Sequence, residues 1–280
     1  MAEKVKEVAI GEAERIKSLT TDAARSGAYL YPLRGIYYFL AHRSLWKPLT
    51  SKLIPTLSLG MGITAFMFAF TYLPQAAIMA FTNGPLAAVS AALLVLSESS
   101  TLFTMISKTF LIQDALVDTF DGVLLSKNTT ELVSGGRQIK AGGDPMAKLG
   151  KLIKTPFARF TPSAIIRYFM YLPLNFIPLV GTVMFVILQG RRAGPAAHQR
   201  YFQLKGWNNA QRQKHIEDNK PAYTSFGVAA VLLELVPVGS ILFAFTNTVG
   251  AALWAADIEQ GNANEHGTAP NLREQAKKAE

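Results

Sequence analysis

A long run without charge dominates the hydrophobic pattern in the first half of the chain. Leu53 to Ser97 holds 45 consecutive uncharged residues, and Glu98 is the one charged residue between Lys52 and Lys108. A soluble helix of that length must turn a polar face to water, whereas 18 or more apolar residues suffice to cross a bilayer. The pattern therefore predicts a membrane protein rather than a soluble globular one.

A turn divides this run into two arms. The sequence TNGPL at residues 82–86 is a strong turn signal. We expect helices at about Ile54–Phe81 and Leu86–Ile106, with a kink at Pro74. At about 1.5 Å per residue, each is long enough to cross a hydrocarbon core of about 30 Å. Alanines and glycines recur along both arms, which favours close packing as an antiparallel pair.

Two later apolar runs are interrupted in the same way. NFIPLVGTVMF and ELVPVGSILF each place proline, valine and glycine inside an apolar segment, although an interior proline costs a helix about 3 kcal/mol. We interpret both as half-penetrating hairpins with arms too short to span the bilayer. A single proline-kinked spanning helix is the alternative. The predicted hairpin tips are Pro178, Gly181, Pro237 and Gly239.

The distribution of positive charge favours the hairpins. Of 28 lysines and arginines, nine lie in residues 1–52, nine in 108–167, seven in 191–220 and three in 257–280. Short basic segments remain cytosolic. A full crossing by the uncharged segment 168–190 would translocate the block at 191–220. We therefore expect all four blocks, and both termini, on the cytosolic side.

Polar segments complete the predicted organisation. Residues 1–28 form an amphipathic N-terminal segment, 29–256 a single helical membrane domain, and 257–280 a polar disordered tail. Residues 146–160 are predicted to be a basic interfacial helix. The predicted fold class is thus an all-α membrane protein with two long transmembrane helices, two re-entrant hairpins and interfacial amphipathic helices.

Three acids follow the first hairpin at spacings of four and three. Asp114, Asp118 and Asp121 share a helix face. They can bind a metal or relay protons, but no further ligand follows nearby, so we expect a solvated helical extension instead.

Polar residues in the broken segments are the candidate site. Glu234 is an acid in an otherwise uncharged segment, where such a residue is functional, lies at the membrane interface or forms a structural pair with an arginine. Asn175 and Asn247 bond across helices or line a pore. Positively charged side chains bracket the first broken segment and are candidates for contacts with an anion or with lipid headgroups. They are Arg167, Arg191 and Arg192.

No catalytic signature is found in the sequence. Cysteine is absent and the four histidines lack metal-ligand spacing. We therefore expect neither enzymatic activity nor a metal or cofactor. The net charge of +9 fits contact with anionic lipid headgroups better than nucleic acid, since no nucleic-acid-binding motif is present. Protein partners and homo-oligomers are left open.

Three segments resemble a known family. YPLRGIYYFLAHRSLWKPL, IPLVGTVMFVILQGRRAGPAAHQRYFQLKGW and SFGVAAVLLELVPVGSILFAFTNTVGAALWAADIE are similar to the CysZ and etoposide-induced-protein family, and to its fungal outer-spore-wall and lipid-droplet branch. The resemblance implies two spanning helices and two half-penetrating hairpins.

The resemblance also implies two competing functions. The first is a non-enzymatic protein of endoplasmic reticulum and lipid droplets that organises lipid or partners, with a role in spore-wall or droplet biology. The alternative is a permease or channel for a small anion such as sulfate. We favour the first, because few polar groups lie in the apolar runs to line a path for water and ions.

Overall fold

The computed structural model describes residues 26–153, 180–235 and 239–264. Within them the chain is almost entirely helical, and this confirms the predicted all-α class. In chain order the helices are α1 (Leu30–Ala41), α2 (Trp46–Asn83), α3 (Ala87–Ile106), α4 (Gln113–Ser126), α5 (Thr130–Ser134), α6 (Val180–Ala197), α7 (Gln199–Leu204), α8 (Asn209–Asp218), α9 (Lys220–Glu234) and α10 (Ser240–Asn264), and the strands β1 (Arg137–Ile139) and β2 (Leu149–Leu152) lie between α5 and α6.

The chain divides into two compact units. Residues 46–116 form one, here called the hairpin unit. The described residues before 46 and after 116 form the other, here called the core unit. Three helices in the described ranges are long and apolar enough to cross a membrane, and they cover Arg43–Phe81, Gly84–Ile106 and Ser240–Gly261.

The hairpin unit consists mainly of α2 packed against α3. The turn falls at Gly84, whose φ of 52° is readily adopted only by a residue without Cβ. α2 continues through Pro55 and Pro74, and begins earlier than predicted. Close packing is visible at Gly60, where an added Cβ would lie 3.2 Å from the ring of Phe103. The two long helices expected from the sequence are present.

The core unit contains two closely packed helix pairs, and in each pair the two helices come closest at glycine residues. α1 packs on α10, where a Cβ on Gly35 would collide with the carbonyl oxygen of Thr246 and one on Gly250 with that of Tyr31. α6 packs on α9, where a Cβ on Gly227 would collide with the carbonyl oxygen of Gly190. Such contacts bring the helix backbones together, the type of packing favoured by small residues in membranes.

The expected interfacial helix at 146–160 is wrong in its described part. Leu149–Leu152 is strand β2, paired antiparallel with β1, with Arg137 opposite Leu152 and Ile139 opposite Leu149. Gly150 explains the difference. It lies directly over the backbone of Gln138, where a Cβ would collide, and glycine is also a poor helix former. The rest of that segment lies outside the described residues, as do residues 1–25 of the predicted amphipathic N-terminal segment.

The boundary of the predicted C-terminal tail also moves. α10 continues to Asn264 rather than ending at 256. The hydroxyl of Tyr31 donates a 2.8 Å hydrogen bond to Asp257, and that of Tyr201 donates a 2.7 Å bond to Glu259. These bonds hold the first part of the expected tail against the core unit. The remainder, from 265, lies outside the described residues.

Candidate functional site

A buried ion-pair network joins α4, β1 and α7. Asp121 is completely buried, and Arg200 donates to it through two nitrogens, from Nε to Oδ1 at 2.9 Å and from Nη2 to Oδ2 at 2.7 Å. Arg137 donates to Asp118 and lies 3.5 Å from Asp121. Arg200 also donates to Gln203 at 2.6 Å. Two arginines thus face two aspartates, of which Asp121 is buried and Asp118 is 39% exposed.

This network corrects the expectation of a solvated position for Asp121, whereas the side chain of Asp118 remains partly exposed. Burial raises the pKa of Asp121, while the hydrogen bonds and the positive charge of Arg200 oppose that rise. Removing one partner of such a buried pair typically costs about 3–5 kcal/mol, because the other charge is left uncompensated. The residues that complete the network lie far away in sequence, so spacing alone could not reveal it. Asp114, the third acid, is exposed.

His198 lies at the centre of an aromatic cluster in the core unit. Its Nε2 is 2.9 Å from the carbonyl oxygen of Ala251, and its Nδ1 is 2.9 Å from the hydroxyl of Tyr223. Since a carbonyl oxygen only accepts, Nε2 carries the proton and Nδ1 accepts from Tyr223. Burial lowers the pKa of His198 to about 3, so the ring is neutral at physiological pH. The surrounding rings belong to Tyr201, Phe202, Tyr223, Phe226 and Trp254.

The structure brings two of the predicted polar residues together. The Nδ2 of Asn247 donates 3.1 Å hydrogen bonds to Oε1 of Glu234 and to the carbonyl oxygen of Ala230. Asn247 is buried and Glu234 is half-buried near the end of α9. This contact is a hydrogen bond between α9 and α10, which was one of the two predictions for Asn247. The structural partner expected for Glu234 was an arginine.

Three helices, α6, α9 and α10, begin or end next to the two predicted hairpin tips. α9 ends at Glu234 and α10 begins at Ser240, immediately after Gly239. α6 begins at Val180, so Gly181 lies in its first turn. Arg191 and Arg192 are exposed near the middle of α6. The other predicted site residues lie outside the described ranges, and they are Arg167, Asn175, Pro178 and Pro237.

One polar pair lies inside the hairpin unit. Nε2 of Gln75 on α2 donates a 2.8 Å hydrogen bond to Oε2 of Glu98 on α3. The remaining surface of both arms is strongly apolar. In the most apolar 18-residue stretch of Arg43–Phe81 only 6% of the residues are buried, against 72% in the corresponding stretch of Ser240–Gly261 in α10. This unit therefore presents much of its hydrophobic surface outward, although 22% of the corresponding stretch in the second arm is buried.

No group of three or more His, Asp or Glu side chains is arranged to hold a metal in the described ranges. The polar clusters found there are hydrogen-bonded contacts between helices. What the described geometry offers instead is an outward apolar surface on the hairpin unit and a charged, hydrogen-bonded end on the core unit.

Comparison with known proteins gives matches over most of the chain. The model of the family described as "Sulfate transporter CysZ/Etoposide-induced protein 2.4" matches residues 31–244. "Outer spore wall protein LDS1" of Saccharomyces cerevisiae is 25% identical over 248 residues, which cover 84% of this chain and 72% of that protein. "Outer spore wall protein RRT8" of the same yeast is 24% identical over 261 residues, which cover 88% of this chain and 76% of that protein.

Proposed function

Because this chain belongs to the family of the sulfate transporter CysZ and etoposide-induced protein 2.4, we propose that it is a non-enzymatic membrane protein that organises lipid or partner proteins. The family assignment confirms the resemblance seen in the sequence. The relatives' description as outer spore wall proteins supports a role in spore-wall biology. The endoplasmic reticulum and lipid droplets are its proposed locations, with both termini in the cytosol.

The hairpin unit carries this proposal. Large apolar side chains project outward along the whole length of both arms, which is the surface expected of helices solvated by hydrocarbon. On α2 they include Ile54, Met61, Phe70, Ile78 and Phe81, and on α3 they include Val89, Leu93 and Leu96.

The turn of the hairpin suits an oil interior as well as a lumen. Phe81 and Leu86 flank it with exposed fractions of 92% and 67%, and no charged residue lies between Lys52 and Glu98. A bilayer offers water on the far side of such a turn, but the monolayer of a lipid droplet offers only oil. A charge buried in oil costs several kcal/mol, so the absence of charge here keeps both environments accessible.

α10 has 25 residues and is long enough to span a membrane, which corrects the expectation that both arms of this broken segment are too short. The exposed side chains at the break nevertheless favour shallow insertion of the core unit. Leu232, Leu235 and Leu242 are exposed around the break between α9 and α10. The acid at the break, Glu234, is half-buried and bonded to Asn247, and further charged side chains lie at the opposite ends of these helices, at Lys220 and Glu259. We propose that this break enters hydrocarbon and returns to the same side. Anionic headgroups are the proposed lipid partners.

A permease for a small anion is the second candidate, because the matched family's description includes a sulfate transporter. In the described ranges, the amide of Asn247 is engaged with Glu234 within the core unit, which favours a structural role for both. Sulfate uptake by the purified protein in proteoliposomes, measured against empty liposomes, distinguishes the candidates. Specific uptake would replace the proposed lipid-organising function with transport.

The proposal is tested by the partition of a fluorescent fusion between endoplasmic reticulum and droplets in fatty-acid-fed cells. We expect the wild type to enrich on droplets. The double variant Phe81→Lys and Leu86→Lys should stay in the reticulum, because both lysines would enter oil at the turn. Gly84 is left unchanged, since its positive φ would strain a lysine there.

The matched control replaces the same residues with uncharged asparagine. It removes the apolar side chains without adding charge, so it should keep more droplet enrichment than the lysine variant. Equal enrichment of the wild type and the lysine variant would show that the turn does not enter oil. Absence of the wild type from droplets would overturn the proposed location.

A further inference from the structure

The β-hairpin of the core unit has one basic face. Residues alternate between the two faces of a strand, and Arg137 and Ile139 point inward, so Gln138 and Lys140 point outward. Lys148 lies beside Lys140, whose backbone N–H donates a 2.9 Å hydrogen bond to the carbonyl oxygen of Lys148. β2 has an extra residue at a register irregularity, so that Leu149 and Leu152 both lie opposite the inward residues Ile139 and Arg137. Lys151, next to Leu152, is therefore exposed on the same side as Lys148. We call Gln138, Lys140, Lys148 and Lys151 the lysine face.

Positive charge on this hairpin is only partly balanced. Between Gln138 and Leu152 the chain has three lysines and one acid, Asp144 in the connecting turn. Lys140 and Lys151 are exposed, and Lys148 is half-buried. Immediately after β2, Ile153 is 62% exposed. An apolar side chain next to several lysines is a combination typical of surfaces that lie on anionic membranes.

The lysine face is held in a fixed orientation. Its opposite side carries Arg137, which is buried in the ion-pair network with Asp118, Asp121 and Arg200. Gly150 packs directly on the backbone of Gln138, which keeps the two strands close. The lysines therefore lie on a small sheet anchored to α4 and α7 rather than on a free loop.

The network also places the sheet at the polar end of the core unit. Arg200 belongs to α7, and Lys205, the residue directly after this helix, forms a 3.1 Å ion pair with Glu259 of α10. From Leu242, near the break, to Glu259 the helix rises about 25 Å at 1.5 Å per residue. If the break enters hydrocarbon, the charged end of α10 lies near or beyond the headgroups.

We propose that the lysine face binds anionic phospholipid headgroups of the membrane in which the chain is embedded. This inference rests on the proposed shallow insertion of the core unit. It assigns the lipid contact to named lysines of a β-hairpin. The sequence had predicted a basic helix in the same part of the chain.

The test uses the full-length protein in nanodiscs of phosphatidylcholine, with or without phosphatidylserine. An amine-reactive reagent labels accessible lysines, and mass spectrometry measures the rate at each site. We expect phosphatidylserine to slow labelling of Lys140, Lys148 and Lys151 by about fivefold each, equivalent to roughly 1 kcal/mol per lysine near an anionic surface. Lys214, exposed on α8, is the internal control and should not change.

A second measurement compares variants by the amount of phosphatidylserine that copurifies with them. Replacing Lys140, Lys148 and Lys151 together with glutamine should lower it several-fold. The control replaces Arg212, Lys214 and Lys220 with glutamine, which removes the same charge from the same unit and should retain the lipid.

Unchanged labelling of the lysine face, or equal lipid loss in both triple variants, would overturn the inference. The inference would also be overturned if, in nanodiscs without phosphatidylserine, inorganic phosphate or a soluble acidic polypeptide slowed labelling of these lysines as much as phosphatidylserine does. The partner would then be a free anion or an acidic protein. These outcomes leave the proposed function intact, since droplet enrichment is measured separately and depends on the hairpin unit.

Discussion

At the scale of single residues, His198 shows how burial sets a protonation state. Its two ring nitrogens are both hydrogen-bonded, to Ala251 and Tyr223, and aromatic rings surround it. Protonating the ring would place a charge in the core and break the bond from the Tyr223 hydroxyl. Neutral His198 is therefore part of the folded structure of the core unit.

This predicts a loss of stability in acid. The pKa of His198 is about 3 when folded, below the value of 6.5 expected in the unfolded chain, so the unfolded state binds the proton first. The contribution of neutral His198 to the free energy of unfolding is fully present above pH 6.5 and decreases as pH falls towards 3. We expect a loss of about 2 kcal/mol between about pH 7.5 and about pH 5, from 1.36 kcal/mol per unit.

Unfolding of the purified protein in detergent, followed over pH, measures this loss. His198→Gln should be less stable at neutral pH but should show a smaller pH slope. His215 also has a pKa lowered by burial, so His215→Gln is measured in parallel to separate its contribution. A slope in His198→Gln as steep as that of the wild type would contradict the prediction.

At the scale of elements, the glycine crossings determine how closely helices pack. Gly227 of α9 lies against the backbone of α6 at Gly190 and Gly194. A methyl group there has no space, and neither helix can move without separating the pair. Overpacking of this kind typically costs 1–3 kcal/mol.

We therefore expect Gly227→Ala to destabilise the protein by about 1–3 kcal/mol in spite of alanine's higher helix propensity. Gly62→Ala is the matched control, because nothing lies within 4 Å of a Cβ at that position. It should be neutral or stabilising. Denaturation in mixed micelles gives both values, and a loss in Gly62→Ala as large as in Gly227→Ala would contradict the packing argument.

Elements differ in how far the sequence predicts them. The two helices of the hairpin unit follow directly from 45 uncharged residues and a turn signal. The β-hairpin was missed because Leu149, Leu152 and the nearby lysines fit a helical period, whereas the strand depends on pairing with β1 ten residues earlier. The glycines at 190, 194 and 227 were visible in the sequence, but no local pattern showed which of them meet.

At the scale of the whole molecule, the sidedness of the core unit remains a prediction. It is tested by single cysteines, since the natural chain has none. On sealed microsomes, an impermeant maleimide should label Lys214→Cys, which is exposed on α8. It should not label Leu235→Cys, either before or after the membrane is permeabilised, because that position is expected in hydrocarbon.

Full detergent solubilisation provides the control, in which both cysteines should react. Protection of Lys214→Cys in sealed microsomes would show that the segment before it crosses completely. Labelling of Leu235→Cys only after permeabilisation would show that the break reaches the lumen. Either result would replace the half-penetrating arrangement by a spanning one.

The candidate site was predictable only in part. Glu234 and Asn247 were identifiable because polar residues are rare in apolar segments, and their contact lies within one local helix pair. The network of Asp118, Asp121, Arg137 and Arg200 was not, because Asp121 and Arg200 are 79 positions apart. The tertiary fold, rather than spacing, brings those four residues together.

The pairing of α1 with α10 has a consequence for biosynthesis. Tyr31 and Asp257, which bond across this pair, are separated by 226 positions. At 5–20 residues per second, α1 leaves the ribosome roughly 10–45 s before its partner exists. During that interval the face with Tyr31, Gly35 and Phe39 has no native partner in α10. α1 therefore leaves this face, which is buried in the folded protein, uncovered by α10 until α10 has been synthesised.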